Sequence, residues 1–454
     1  MTFLAIDVGT SFIKAAVLDL DTLRVTHVQR LPPPESIAGL PPLFVEIDAE
    51  AVAGVVRDLI ERLVPLAPDC RGIVMCGQMG GVVLTDEHGI ALSNYISWRD
   101  QRTLQPHPNG GGSYFDVVRQ RLGPTIMRQL GHEVRPGLAL ALLFWLAKQR
   151  LLPRGPAIPT LLPDFVLAKL CHTAPRTEAT QATGTINLET GDWHREAIAA
   201  LGLDGLRWPK LIDYREPVGE FRIAGRSLLC YPVVGDHQCS LAGALLGDDE
   251  LSLNISTGSQ VSRLADRWQP GDFQTRPYFD GRFLNTITNL PGGRALDALV
   301  RLLTEIADAQ RIDLPDPWSY VSSQAATVID TDLDMTTTFF AGALGDHGSI
   351  TNIREDNLTV GHLFRAAFRN MADNYLACAL RMSPDRTWSR LAFSGGLVNK
   401  LDPLRAEIVN RFACPHRVCP SAEDGLQGLL VLALTISGRT PSVAAAIELV
   451  RQSP

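Results

Sequence analysis

The feature that most constrains this chain is that the pattern of its opening, though not its residues, occurs twice. "LAIDVGTSFIKAAVLDL" (Leu4 to Leu20) is an apolar run with a carboxylate at Asp7, a bend at Gly9-Thr10-Ser11, and a second apolar run carrying Lys14. "LSLNISTGSQVSRLAD", from Leu251, has the same order: apolar run, Thr257-Gly258-Ser259, return run. "RGIVMCGQMGG" from Arg71 and "RLAFSGGLVN" from Arg390 form a second pair, each a run ending in a double glycine. Two copies of one layout, each about half of the 454 residues, predict a duplicated domain pair with a cleft between them. The expected domains are 1–245 and 246–454.

Strand-like and helix-like segments alternate throughout, which is the pattern of an α/β protein. Residues 49–67 place Val52, Val55, Val56, Leu59, Ile60 and Leu63 at helical spacing, predicting an amphipathic helix. "LPPPESIAGLPP" from Leu31 and "PHPNGGGS" from Pro106 read as surface loops.

Composition narrows the function classes. With 45% hydrophobic and 20% charged residues the chain can bury a large core. A formal net charge of −7 argues against a nucleic-acid or anionic-membrane binder. No apolar stretch approaches the roughly 18 to 20 residues of a membrane span. The first apolar run carries Asp7 and follows no basic region, so it does not read as a signal peptide. Eight cysteines without a secretory signal read as reduced thiols, and the expected location is cytoplasmic. Cys414, His416 and Cys419 are zinc-capable types, but no second ligand pair follows, so they read as structural.

A glycine at a hairpin bend lets backbone N–H groups approach an anion, and neighbouring Thr and Ser add hydroxyl donors. Two such bends across a cleft suit the phosphates of a nucleotide. Asp7, just before the first bend, could hold Mg²⁺ through its waters; alternatively it caps a turn. "YPVVGDHQCSLAGALLG", from Tyr231, reads as a strand stopping at Gly235, an exposed Asp236, then a helix of small residues. An acid at that point sits where α/β proteins place ligands, and could accept a proton from an attacking hydroxyl. Asp236 could equally be a helix cap.

Taken in order, these segments resemble the FGGY family of carbohydrate kinases over nearly the whole chain. "IDVGTSFIK" resembles the first phosphate motif, "GQMGG" the sugar-contacting Gly-Gln-Met-His-Gly, and "WRDQR" the Trp-x-Asp-x-Arg. "LPDFVLAKLCH" and "EATQATGTINLETGDW" resemble the middle of the first domain. "VVGDHQCS" resembles the catalytic-Asp segment, "ISTGSQV" the second phosphate motif, "FSGGLVNK" the adenosine motif, and "AEDGLQGLLVLA" the closing helix. The resemblance implies two RNase H-like (actin-like ATPase) domains, the first binding sugar and the second nucleotide. It implies ATP-dependent phosphorylation of a sugar or polyol hydroxyl, with Asp236 as general base. Gln78, Met79, Gly80, Trp98, Asp100 and His237 would face the sugar. Gly9, Thr10, Ser11, Lys14, Thr257, Gly258, Ser259, Gly293, Gly395, Gly396 and Asn399 would serve ATP, and Asp7 and Asp236 would serve Mg²⁺.

"LNISTGSQVS", "RPYFDGRFLNTITNLPGGRALDALVRLL" and "LGDHGSITNI" resemble the sedoheptulokinase branch. The implied reaction is sedoheptulose to sedoheptulose 7-phosphate. One departure stands out: the family's His in Gln-Met-His-Gly is Gly80 here. That predicts a roomier pocket and a longer ketose. The alternatives are a xylulose or other pentulose or polyol kinase, a low-turnover sugar or nucleotide sensor, and a chaperone-like ATPase. The chain is expected to act as a monomer or homodimer on small molecules, without nucleic acid or membrane.

Overall fold

The computed structural model describes residues 1–421 and 423–453. The first half is built on β1 (Thr2–Val8), β2 (Ile13–Asp19), β3 (Arg24–Leu31), β4 (Cys70–Gly77), β5 (Gly219–Ile223) and β6 (Arg226–Gly235). They form one six-stranded sheet in the order β5-β6-β4-β1-β2-β3. The second half uses β7 (Glu250–Ile255), β8 (Ser259–Ala265), β9 (Gln274–Pro277), β10 (Phe283–Leu290), β11 (Arg390–Ser394) and β12 (His416–Val418). Their order is β9-β10-β8-β7-β11-β12.

The two sheets follow one path. In the first, β1, β2 and β3 form an antiparallel meander, while β4 and then β6 add in parallel. In the second, β7, β8 and β10 form the meander, while β11 and then β12 add in parallel. Each sheet gains one further edge strand, β5 or β9. The expected duplication is therefore present as two RNase H-like halves.

The helices follow from local chemistry. Asp48 accepts from the N–H groups of Glu50 and Ala51, opening α1 (Ala49–Leu63), which buries Val52, Val56, Leu59, Ile60 and Leu63. The sequence predicted helix to residue 67. The α-helix instead ends at Leu63 and tightens into a 3₁₀ turn over Val64–Leu66, because Pro65 has no N–H to continue the ladder. An insert between β4 and β5 carries α2 (Tyr114–Gln129), α3 (Ala139–Lys148) and α4 (Leu162–Cys171). The helices that matter for the cleft are α5 (Asp236–Gly243), α6 (Gly293–Ala309), α7 (Pro317–Thr327), α8 (Val360–Met382), α9 (Gly396–Lys400) and α10 (Asp424–Ile436).

One crossing is unusually tight. A Cβ on Gly243 would lie 1.8 Å from the Asp424 carbonyl oxygen, and one on Gly428 would lie 1.9 Å from that of Cys239. α5 and α10 therefore meet backbone to backbone. Through this contact Leu426, Leu429, Leu430 and Leu434 share a core with Phe3, Ala5, Leu18 and Val74 of the first sheet. Among the described residues no helix is long and apolar enough to cross a membrane.

Candidate active site

Strand register assembles the acidic end of the cleft. Asp7 pairs with Lys14 across the first hairpin and neighbours Cys76 on β4, while Gly77 is in register with both Val8 and Gly235. Asp7 and Asp236 thus emerge at the carboxyl ends of parallel strands, where α/β folds place ligands. Burial, and then the Asp7 charge, push Asp236 up to about 7. Burial likewise pushes Asp7 up to about 6, against the opposing pull of Lys14. The first turn of α10 closes over Asp7: a Cβ on Gly425 would be 3.1 Å from Asp7 Oδ2. The bend after Asp7 is tight, since a Cβ on Gly9 would meet the Phe12 carbonyl at 2.7 Å.

His237 follows Asp236, and its N–H donates to Asp236 Oδ1 at 2.7 Å. Its ring points at the second sheet and not into open space. Arg276 Nη1 donates to Nδ1 at 2.9 Å, and Nε2 lies 3.4 Å from Ser262 Oγ. Nδ1 must therefore be the acceptor and Nε2 the protonated nitrogen. Burial and Arg276 hold the imidazole neutral, well below its usual value. Arg276 also pairs with the buried Glu133 of the insert.

The sugar-side motif is only partly at the surface of the cleft. Gln78 Oε1 accepts from Thr10 Oγ1 at 3.3 Å and from the Tyr95 hydroxyl at 3.4 Å. Trp98 keeps 41% of its surface, and its indole N–H donates to Thr10 Oγ1 at 3.0 Å. Thr10, expected at a phosphate, is thus already bonded to two sugar-motif side chains. Met79 Sδ accepts from Thr183 Oγ1 at 3.3 Å.

Asp100 departs from expectation. It is fully buried, and both oxygens are filled by Arg102 N, Nε and Nη2 and by Val45 N, at 2.7–2.9 Å. With no lone pair to spare it anchors the loop behind Trp98. Gly80 also departs. The backbone there has φ +89°, and a Cβ would fall 2.4 Å from Leu138 Cδ2 and 3.2 Å from Trp98 Cβ. The room expected from the missing His is filled by Leu138.

The second half carries a cavity of about 930 Å³ lined by Thr257, Gly293, Asp297, Trp318, Gly396 and Lys400, among others. Thr257, Gly293 and Gly396 are thereby brought together as expected of a nucleotide site. Gly395 supports the same wall from behind, at φ +92° with the Ile255 carbonyl 2.4 Å from where a Cβ would be. Only glycine fits that turn. Gly258 and Asn399 are exposed at its margins, and Ser11 is exposed on the first bend. Ser259 is buried, its hydroxyl 2.8 Å from that of Tyr375. Lys14 Nζ lies 3.0 Å from Glu423 and 3.9 Å from Asp7, so acids already hold the expected phosphate cation.

Sequence reasoning missed Arg276, Glu133, Thr180 and Gln181. Thr180 Oγ1 accepts from Gly235 N at 2.9 Å, and Gln181 Nε2 donates to the carbonyls of Gly77 and Val234, pinning the strand ends. The quoted "EATQATG" segment holds the last two, but nothing in its spacing marks them as strand-end clamps.

Two RNase H-like halves, a carboxylate pair at the strand ends and a cavity behind glycine turns define a phosphotransferase cleft. Residues 2–240 match the model of the N-terminal domain of the FGGY family of carbohydrate kinases. The chain is 26% identical to human sedoheptulokinase, over 94% of this chain and 96% of that protein. It is 24% identical to the xylulose kinase of Staphylococcus xylosus, over 56% of this chain and 53% of that one. A gluconate kinase from Lactobacillus acidophilus superposes with a TM-score of 0.85 at 17% identity, covering 100% of this chain and 92% of its own. The protein is an ATP-dependent carbohydrate kinase. It belongs to the FGGY family.

Proposed function

We propose that this kinase transfers the γ-phosphoryl group of ATP to a hydroxyl of a ketose, with sedoheptulose as the acceptor and Asp236 as general base. The observation that carries the chemistry is the position of Asp236 at the end of β6, where burial raises its proton affinity to a value near 7. A base with that affinity accepts a hydroxyl proton as the oxygen attacks, and returns it to water afterwards. The γ-phosphoryl passes from the β-phosphate oxygen of ATP to the sugar oxygen, leaving ADP. Gln78 and Trp98 orient the acceptor; Thr257, Gly293 and Gly396 receive the nucleotide. The choice of sedoheptulose rests on the full-length likeness to human sedoheptulokinase.

Asp7 and Asp236 suit Mg²⁺. They are two hard oxygen donors whose charges oppose one another, and Lys14 compensates only one of them. When bound, the ion would offset the charge of the phosphates.

A pentulose such as xylulose is the second reading. Leu138 filling the space beside Gly80 favours it, as does the xylulose kinase relative. ATP consumption measured against sedoheptulose, xylulose, ribulose, glycerol, fuculose and erythritol decides. Highest kcat/KM on sedoheptulose upholds the first reading, and highest on a five-carbon ketose the second. ATP turnover that ignores every sugar would defeat both.

A further inference from the structure

We propose that Arg276 is a positioning residue for phosphoryl transfer, tying the insert of the first half to the helix that presents Asp236. The inference rests on Asp236 being the base. Arg276 lies on β9, an edge strand of the second sheet, yet both its partners belong to the first half: Glu133 on the insert and His237 on α5. Side-chain exposure is 11% for Arg276 and 2% for Glu133, so the pair is held away from water. The backbone locks the same place, since Thr275 N donates to the Gly131 carbonyl at 3.0 Å. Arg135 Nη2 adds a bond to Thr288 Oγ1 at 3.1 Å.

The guanidinium reaches both groups at once because it is a planar fork with several fixed N–H directions. Its bond to Nδ1 fixes the ring, and Ser262 fixes the other edge. With the ring fixed, the His237 amide that donates to Asp236 Oδ1 is fixed too. The first turn of α5 and the docked insert and β9 therefore aim the carboxylate together. Were the halves apart, Arg276 would leave with β9 and the base would lose that part of its orientation. Lys in its place keeps the charge but cannot span both partners.

The test compares Arg276→Gln, Arg276→Lys and the double variant Glu133→Gln/Arg276→Gln, with ATP and the best acceptor of the panel above. Arg276→Gln is expected to lower kcat about 10- to 100-fold, the cost of a misaimed group, with little change in KM for sugar or ATP. Arg276→Lys should recover part of that loss. Arg276→Gln alone strands the buried Glu133 charge and lowers Tm; the double variant removes both charges and should recover Tm. It should not recover kcat. Recovery of kcat together with Tm would mean that the pair only holds the fold, and would overturn the inference. A rise in KM at unchanged kcat would overturn it also. Asp236→Asn, measured alongside, separates the two ideas. Sugar-dependent turnover surviving in it overturns the base assignment and this inference with it. Turnover lost there, with kcat restored in the double variant, overturns the inference alone.

Discussion

Asp7 and Asp236 are a matched pair of acids that repel each other inside one cleft. Because burial and Asp7 raise Asp236 to about 7, most molecules below that pH hold its proton and lack a base. The kcat/KM for sugar is therefore expected to climb with pH through about 7. Asp236→Asn should lose several orders of magnitude in kcat while still binding ATP, and should lose that ascending limb. The same pair affects stability. Both acids are raised in the folded state, so between the usual carboxylate range and neutrality the folded chain holds more protons than the unfolded one. Stability from these groups therefore falls as pH rises from the usual carboxylate range up to about 7, and levels off above it. Denaturant melts without ligand should show Asp7→Asn gaining on the wild type as pH goes from about 5 to 8. A gap independent of pH would show that Asp7 is relieved elsewhere, for instance fully by Lys14.

The element that most controls the site is α10. Its first turn covers Asp7, and its body crosses α5 with no side chain between them. Gly428→Ala is expected to push the helices apart at a cost of about 1–3 kcal/mol, and to weaken nucleotide binding because the cover over Asp7 moves with them. Gly54→Ala in α1 is the control, since nothing lies within 4 Å of a Cβ there. Equal Tm for both variants would contradict the crossing. Such contacts mark the limit of what the sequence discloses. The two sheets were legible because their alternation and paired glycine bends are local. Asp236 was legible because a strand ending in glycine and an acid starting a small-residue helix lie within one short segment. Asp100, Lys14 and Ser259 were placed by the motifs they stand in. What each does is set by Arg102, Glu423 and Tyr375, and the last two partners lie far along the chain. Arg276 has no motif around it, and its role exists only once β9 meets the insert. Leu138, which a Cβ on Gly80 would meet, is likewise far away in sequence, so its approach to that glycine could not be read from the motif.

At the scale of the molecule, the two halves touch through the insert at Gly131, Glu133 and Arg135, and the proposed reaction places one nucleotide and one acceptor between them. Trp98 remains partly open to solvent, so the sugar side of the cleft has more surface to bury. Sugar should therefore raise ATP turnover well above a low basal rate, because closure excludes the water that would otherwise take the phosphoryl group. Small-angle scattering with sugar and a non-hydrolysable nucleotide should show a smaller radius of gyration than either ligand alone. An unchanged radius would count against closure. The docking of α10 on the first sheet has a further consequence, for the order of events during synthesis. Arg439, just past that helix, bonds to Leu20 across a separation of 419 residues. A ribosome that has delivered β1 to β6 has not yet delivered the leucines that cover one face of them. The apolar side of a nearly finished sheet must wait, exposed to chaperones and to neighbouring chains, until the stretch from 424 to 436 emerges.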